Sequence, residues 1–166
     1  MNISLLKNLA FFLILLLAQV LVLNHIHLFH CAMPLLYVYF LLPVPRGTAR
    51  WTTLVWGFAL GLAVDCFSNT PGVGAAATTL TAFLQPYVLE LFLNRDSADN
   101  LLPSFRSLGW GKYTAYAAIL ILVHILCYFA LEAFEFYNPL QWLASVGGSF
   151  VLTLLLTLVI ENMRKR

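Results

Sequence analysis

Six apolar segments, separated by short polar or proline-containing breaks, run through the whole 166-residue chain. A membrane-spanning helix needs about 20 predominantly apolar residues, so this pattern predicts six transmembrane helices. The second and third segments are short for a full crossing and are expected to run nearly upright or partly at the interface. We therefore expect one all-α transmembrane domain over residues 1–166, with spans at about 5–23, 28–42, 51–67, 72–93, 113–136 and 140–160.

The composition agrees with a membrane protein. Hydrophobic residues make up 61% of the chain and charged residues only 10%, whereas a soluble domain has about 25% charged residues. No extramembrane domain is large enough to hold a soluble active site, and no nucleic-acid partner is expected. The apolar run after Lys7 lacks a small-x-small cleavage site, so we expect it to remain as the first span.

The distribution of positive charge predicts the orientation. Under the six-span interpretation, every basic residue falls in the N-terminal tail, the second loop, the fourth loop or the C-terminal tail. Because basic loops stay on the cytoplasmic side, we expect a multi-pass membrane protein with both termini in the cytoplasm. The nine basic residues are Lys7, Arg46, Arg50, Arg95, Arg106, Lys112, Arg164, Lys165 and Arg166.

The stretch from Gly57 to Ala77 predicts a tight helical hairpin at the structural centre. Small residues at helical spacing allow two backbones to approach closely in lipid. The turn contains Pro71, and a carboxylate, Asp65, precedes it at the end of an apolar run. Such a carboxylate either binds a cation, a proton or a partner's basic residue, or it caps the next helix. The polar turn around it favours the structural role. The residues expected to shape this hairpin are Gly57, Gly61, Asp65, Phe67, Pro71, Gly72 and Gly74.

Other polar residues offer weaker candidates for chemistry. His25, His27 and His30 lie near Cys31 in the first outer loop, where imidazoles and a thiol are possible ligands for zinc or copper. Their spacing fixes no common helical face, so we interpret them as polar loop residues and expect no metal site. His124, in the middle of the fifth segment, is expected to bond to a neighbouring helix.

Two further surfaces are candidates for partner contacts. Glu132 and Glu135 share one helical face and are interpreted as an acidic docking patch. The fourth loop, residues 94–111, carries an apolar set that includes Phe105 and Trp110, and we expect this set to be exposed to the headgroups or to a cytosolic partner. No catalytic motif is present in the sequence, so we expect neither an enzyme nor a cofactor. The remaining members of the apolar set are Leu101, Leu102 and Leu108.

The hairpin sequence GFALGLAVDCFSNTPGVGA, from Gly57 to Ala75, resembles the characteristic segment of the rod shape-determining protein MreD family. The matching positions are Asp65, Phe67, Pro71 and Gly72. The resemblance implies a non-enzymatic scaffold of the bacterial elongation complex in the inner membrane, which helps to organise peptidoglycan synthesis. The implied partners are the bitopic protein MreC and, indirectly, MreB, a penicillin-binding transpeptidase and RodA. The implied fold is similar to the substrate-binding subunits of energy-coupling-factor transporters.

That fold similarity leaves an alternative open: a solute-binding membrane subunit of the vitamin-transporter type. Such a subunit needs an outward pocket with convergent polar groups, and the polar residues available for one are His25, His27, His30, Asp65 and Glu132. The small polar inventory and very short outer loops favour the scaffold. The sequence also leaves open a homodimer and a lipid held in a cleft.

Overall fold

The computed structural model describes residues 3–23, 33–93, 101–132 and 139–164, and the regular elements within these ranges are all helical. Three of the helices are long and apolar enough to cross a membrane, namely Arg50–Ser68, Trp110–Glu132 and Leu140–Arg164, and Asn8–Val22 is a shorter apolar helix. The helices are α1 (Ile3–Leu17, continued by a π-helical turn over Ala18–Val22), α2 (Arg50–Ser68), α3 (Val73–Phe92), α4 (Phe105–Leu108), α5 (Trp110–Glu132) and α6 (Pro139–Arg164), with a 3₁₀ helix at Leu36–Leu41.

The core of the bundle is built around α5. Seven of its side chains are completely buried, and they recur at helical spacing along one broad face. Helix α3 packs against this face, α2 packs against α3, and α6 also packs against α5. Since α5 contacts both neighbours, its fully buried face defines the centre of the molecule. The seven residues are Tyr113, Tyr116, Ala117, Leu120, Ile121, His124 and Ile125.

The arginines of the described residues lie at one end of the bundle, which we call the basic end. Helix α2 begins there at Arg50, and α6 ends there at Arg164. Arg46 lies beside the last part of α3, and Arg106 lies in α4, which precedes α5. The opposite end, where α2 turns into α3, is called the hairpin end. Within the described ranges, the connections that carry arginine therefore lie at one end of the bundle, and the hairpin turn, which carries no lysine or arginine, lies at the other.

The second predicted span differs from the structure. Residues 28–32 lie outside the described ranges, and residues 36–41 form a short 3₁₀ helix that is buried on all sides. With about 2.0 Å of rise per residue, a six-residue 3₁₀ helix extends only about 12 Å, too little to cross a bilayer. Pro34 and Pro43 flank it and remove backbone donors that a longer α-helix would use. We refer to residues 33–42 as the irregular segment.

Candidate functional site

Asp65 closes the hairpin between α2 and α3. Its side chain is only 2% exposed. Oδ1 accepts hydrogen bonds from the Gly74 amide at 2.8 Å and the Thr70 hydroxyl at 3.2 Å. Oδ2 accepts from the amides of Ala75 at 2.9 Å and Gly72 at 3.1 Å. The first amides of a helix have no partner within it, and a carboxylate there is also favoured by the helix dipole. These contacts are the ones that the capping interpretation requires.

Two backbone features allow the chain to turn so tightly. Helix α2 ends at Asn69, whose φ of 57° lies in the left-handed region that asparagine tolerates. Gly72 follows with a φ of 88°, which glycine adopts without steric cost. The Gly72 amide donates to Asp65 from this conformation, so the turn and the cap form one unit.

Gly61 sets the distance between α2 and α3. A Cβ atom placed on Gly61 would lie 2.5 Å from the carbonyl oxygen of Gly74 and 2.6 Å from the Cα atom of Ala75. These are backbone atoms, so no side-chain rotation relieves the clash. Gly57, one turn earlier, is less crowded, because a Cβ there would lie 3.1 Å from the Cβ of Ala82.

The structure thus brings together five of the predicted hairpin residues in one packed unit. They are Gly57, Gly61, Asp65, Gly72 and Gly74. The other two lie on the surface: Phe67 is 66% exposed and Pro71 is exposed at the turn. Because Gly57 and Gly61 face α3 within the same chain, they are not available to a helix of another protein.

A second polar arrangement runs along one face of α6 and was not predicted from the sequence. Its four side chains recur every fourth residue and are all buried. This spacing places them above one another on one helical face. We call this set the polar stripe of α6; it consists of Ser149, Thr153, Thr157 and Glu161.

The polar stripe supplies hydrogen-bond partners to the backbone of the irregular segment. The Ser149 hydroxyl accepts from the Met33 amide at 2.9 Å, and the Thr153 hydroxyl accepts from the Leu35 amide at 3.0 Å. On the other side, the Gln19 side chain donates to the Pro34 carbonyl at 2.9 Å. Non-helical backbone inside an apolar bundle needs such partners, because unpaired polar groups there are costly.

The far end of the irregular segment is held by α3 and α5. The Gln85 amide donates to the Tyr116 hydroxyl at 3.0 Å, and that hydroxyl donates to the Leu42 carbonyl at 3.0 Å. Nearby, the Thr81 hydroxyl lies 3.3 Å from Nδ1 of His124, whose ring meets Tyr37 edge-on at 5.1 Å between centroids. His124 therefore makes an interhelical contact of the kind that the sequence suggested.

Two neighbouring threonines of the stripe give a matched test of its role. Thr153→Val should lower the free energy of unfolding by about 1–3 kcal/mol, because the buried Leu35 amide loses its acceptor. Thr157→Val should be neutral or stabilising, because the buried Thr157 hydroxyl has no partner among the described residues. Thermal unfolding of both variants in one detergent measures the difference. Equal midpoints would contradict a supporting role for Thr153.

Glu161 is the last residue of the stripe and a second buried carboxylate. Its side chain accepts from the Tyr39 hydroxyl at 2.6 Å and lies 3.4 Å from the Tyr113 hydroxyl. The same oxygen lies 3.6 Å from a guanidinium nitrogen of Arg164, whose side chain is 43% exposed. The Glu161 carboxylate at the basic end is therefore contacted by two tyrosine hydroxyls and one arginine.

The prediction of an exposed apolar set in the fourth loop is wrong for Phe105 and Leu108. Phe105 is 4% exposed, and its ring stacks on Trp110 at 4.2 Å and meets Tyr113 at 4.8 Å between centroids. Leu108 is also buried. Burial of this apolar surface is more favourable than exposure to water, and Ser104 caps α4 through a reciprocal bond with Ser107. Trp110 is half exposed. Of the two loop residues predicted to contact a partner, Phe105 and Trp110, only Trp110 is therefore accessible.

Several predicted residues lie outside the described ranges. They are His25, His27, His30, Cys31 and Glu135. Glu132 is described and is exposed at the end of α5. Within the described ranges, no group of three or more histidine, cysteine, aspartate or glutamate side chains is arranged to hold a metal ion.

The spacing of the polar stripe is a signal that could have indicated a protein-facing side of α6, although not the contacts that this side makes. Polar residues at every fourth position of an apolar helix indicate a buried, protein-facing side. The hydropathy pattern predicts that the sixth span ends at about residue 160, so Glu161 falls at its boundary in that prediction.

The described residues define an all-helical bundle that contains three helices long and apolar enough to cross a membrane. Its site consists of a carboxylate-capped hairpin and a buried polar stripe. Comparisons with models of known protein families, with curated proteins and with solved structures found no match to this chain. Function is therefore inferred from the chain's own residues.

Proposed function

We propose that this protein is a non-enzymatic scaffold of the MreD type in the bacterial inner membrane, where it helps to organise peptidoglycan synthesis in the cell-shape complex. The observation that carries the proposal is the hairpin of α2 and α3. Its sequence resembles the MreD segment, and its aspartate is fully engaged in four hydrogen bonds that fix the turn. A carboxylate used in this way stabilises a rigid element and takes no part in chemistry.

The second buried carboxylate supports the same conclusion. Glu161 is held by Tyr39, Tyr113 and Arg164. General acid–base catalysis needs a group that can reach a substrate proton, whereas Glu161 and Asp65 are both buried and held by hydrogen bonds from their neighbours. The structure thus favours binding over catalysis. In this proposal the chain crosses the membrane six times, with the irregular segment as the non-α-helical part of the second crossing. Both termini lie in the cytoplasm, as the charge distribution predicts.

Partner recognition is assigned to the outward face of α2. The glycines of α2 face α3, so a partner helix has access only to the opposite face. That face presents Val55, Phe58 and Leu62, which are exposed and recur at helical spacing. Close packing of such side chains is what associates helices in lipid. The proposed partner is the transmembrane helix of an MreC-like bitopic protein, through which MreB, the transpeptidase and RodA would be reached.

Co-purification with MreC tests this assignment. The double variant Phe58→Ala, Leu62→Ala should reduce the recovered partner about tenfold or more, which corresponds to roughly 1.4 kcal/mol of lost contact energy. The matched control is Val151→Ala, Leu155→Ala, a pair with the same spacing and similar exposure on α6. It should leave recovery unchanged. Equal recovery of MreC with the parent, the α2 double variant and the α6 double variant would contradict the α2 interface. Loss of MreC with the α6 double variant alone would also contradict it and would place the interface on α6.

Solute binding is the second candidate, and one observation favours it. The Tyr37 hydroxyl and Nε2 of His124 are buried and have no hydrogen-bond partner among the described residues. Buried unpaired polar atoms of this kind are suited to a polar ligand or to water. A thermal-shift screen against vitamins separates the two functions, because saturable stabilisation by one compound would indicate transport. No stabilisation by any compound is the result that the scaffold predicts.

A further inference from the structure

A cleft of about 490 Å³ opens at the basic end, between α1, the start of α2 and the chain that leaves the irregular segment. This volume lies within the usual range for small-molecule sites, about 300–1,000 Å³. The cleft has an apolar wall and a polar rim with one cation. We call it the basic-end cleft.

The apolar wall is aromatic. Phe11 of α1 stacks on Phe40 of the irregular segment at 5.8 Å between centroids, and Trp56 of α2 lies 6.1 Å from Phe40. All three rings line the cleft. Leu9 and Val55, each next in sequence to a residue that lines the cleft, are exposed on the flanking helices. An aliphatic chain can therefore extend from the cleft along the outside of the bundle.

The rim is polar and its surroundings are positively charged. Arg164 lines the cleft and also lines a neighbouring cavity together with Arg106. On the other side, Arg46 and Arg50 line a cavity that shares Thr48 and Thr53 with the cleft. Of the basic-end carboxylates in the described residues, Glu161 is buried beneath Arg164 and Glu90 lies beside Arg50. An anionic group at the rim would thus lie at Arg164, with three further arginines in the two adjoining cavities.

Two exposed tryptophans lie at the same end of the bundle as the cleft. Trp51 is 69% exposed and directly precedes Thr52, which lines the cleft. Trp110 is half exposed at the start of α5, at the same end of the bundle. Exposed tryptophans of membrane proteins collect at the membrane–water interface. The apolar wall would then point into the hydrocarbon and the arginines toward the lipid phosphates.

We propose that the basic-end cleft binds one anionic phospholipid, with its phosphate at Arg164 and the polar rim and an acyl chain along the Phe11, Phe40 and Trp56 wall. Basic pockets between helices on the cytoplasmic side are suited to anionic headgroups. Glu161 acts as a positioning residue, because it holds Arg164 at the rim. The inference requires only that the bundle lies in a membrane and does not depend on the partner protein.

Trp56 provides a direct probe. In a variant that keeps only Trp56, with Trp51, Trp110 and Trp142 changed to phenylalanine, fluorescence is measured in vesicles whose lipids carry brominated acyl chains. When brominated phosphatidylglycerol is added to an excess of plain phosphatidylcholine, quenching of Trp56 fluorescence should appear at a low mole fraction and then reach a plateau. Brominated phosphatidylcholine at the same mole fraction should quench only in proportion to its abundance. Equal quenching by the two lipids would overturn the proposal.

Charge variants identify the site. Arg164→Gln should weaken the apparent affinity for phosphatidylglycerol about fivefold, since one basic residue near the surface contributes about 1 kcal/mol. Lys112→Gln removes one charge from the same end and lies on α5 at a position that does not line the cleft. It should leave the affinity nearly unchanged. An equal loss in both variants would indicate a diffuse surface effect and would contradict the site.

Thr52→Phe is a second test, in case Arg164→Gln destabilises the chain by leaving Glu161 without its cation. It adds bulk to the cleft and leaves both charged residues in place. In this variant the saturable quenching by brominated phosphatidylglycerol should be lost, and only quenching in proportion to the mole fraction of the brominated lipid should remain. Retained saturable quenching would overturn the proposal. These results are separate from the co-purification test, because the α2 variants leave the cleft intact.

Discussion

Replacement of Asp65 by alanine should lower the free energy of unfolding by about 2–4 kcal/mol. The substitution removes the acceptor of three backbone amides and one hydroxyl at once. Hydrogen bonds to a charged group contribute about 1.5–3 kcal/mol each, and loss of a helix cap costs about 1 kcal/mol, but water at the hairpin end can replace some of them. In detergent, the unfolding midpoint should fall by roughly 5–15 °C.

Two controls separate the cap from general effects of substitution. Asp65→Asn keeps one acceptor oxygen but replaces the other with a donor, so its midpoint should lie between those of the parent and Asp65→Ala. Cys66→Ala changes an exposed neighbour and should leave the midpoint unchanged. A midpoint for Asp65→Ala equal to that of the parent would mean that the carboxylate does not hold the hairpin.

Addition of a single methyl group at Gly61 is expected to have a similarly large effect. In Gly61→Ala the new Cβ would meet backbone atoms of α3 at 2.5–2.6 Å, so the two helices must separate. Overpacking of this kind costs about 1–3 kcal/mol and sometimes more, and here no side chain can move aside. The same thermal measurement in detergent should show a fall in midpoint comparable to that of Asp65→Ala.

Gly147→Ala is the matched control for this prediction. Gly147 also lies within a helix, but a Cβ there has no atom within 4 Å. Because alanine is a better helix former than glycine, the substitution should be neutral or stabilising by about 0.5–1 kcal/mol. If the two alanine variants had equal midpoints, the close approach of α2 and α3 would not be the feature that fixes the hairpin.

The hairpin was predictable because its determinants are close in sequence. The amides that Asp65 caps follow it by seven to ten residues, and the turn residues lie between them. A short polar turn after an apolar run with small residues therefore indicates both the hairpin and its cap. The role of Gly61 follows from the same local pattern, since two small-residue faces must meet when the chain reverses.

The irregular segment was not predictable from hydropathy. Its sequence is as apolar as that of a membrane-spanning helix, and hydropathy cannot distinguish burial in protein from exposure to lipid. The residues that support it lie on α6, more than 100 positions later: the Met33 amide bonds to Ser149 at a separation of 116 residues. Only the three-dimensional packing reveals that the chain there need not form an α-helix.

Phe105 and Glu161 illustrate the same limit at the basic end. Phe105 lies in a loop that mixes charged and apolar residues, a pattern typical of an exposed segment, but α5 provides a buried surface for its ring. Glu161 stands near a run of basic residues, a pattern typical of a solvated tail, but two tyrosines from distant segments surround it. Both outcomes depend on contacts that local sequence does not specify.

Labelling of single cysteines in intact cells tests the central claim most directly, namely a membrane-embedded bundle with its basic end in the cytoplasm. After replacement of the three natural cysteines, one cysteine is placed at Pro71 on the hairpin end and, in a second protein, at Arg106 on the basic end. Both positions are exposed. A membrane-impermeant maleimide should label the first protein in intact cells and the second only after the cells are lysed. Labelling of the Arg106 position in intact cells, or of both positions alike, would contradict this account.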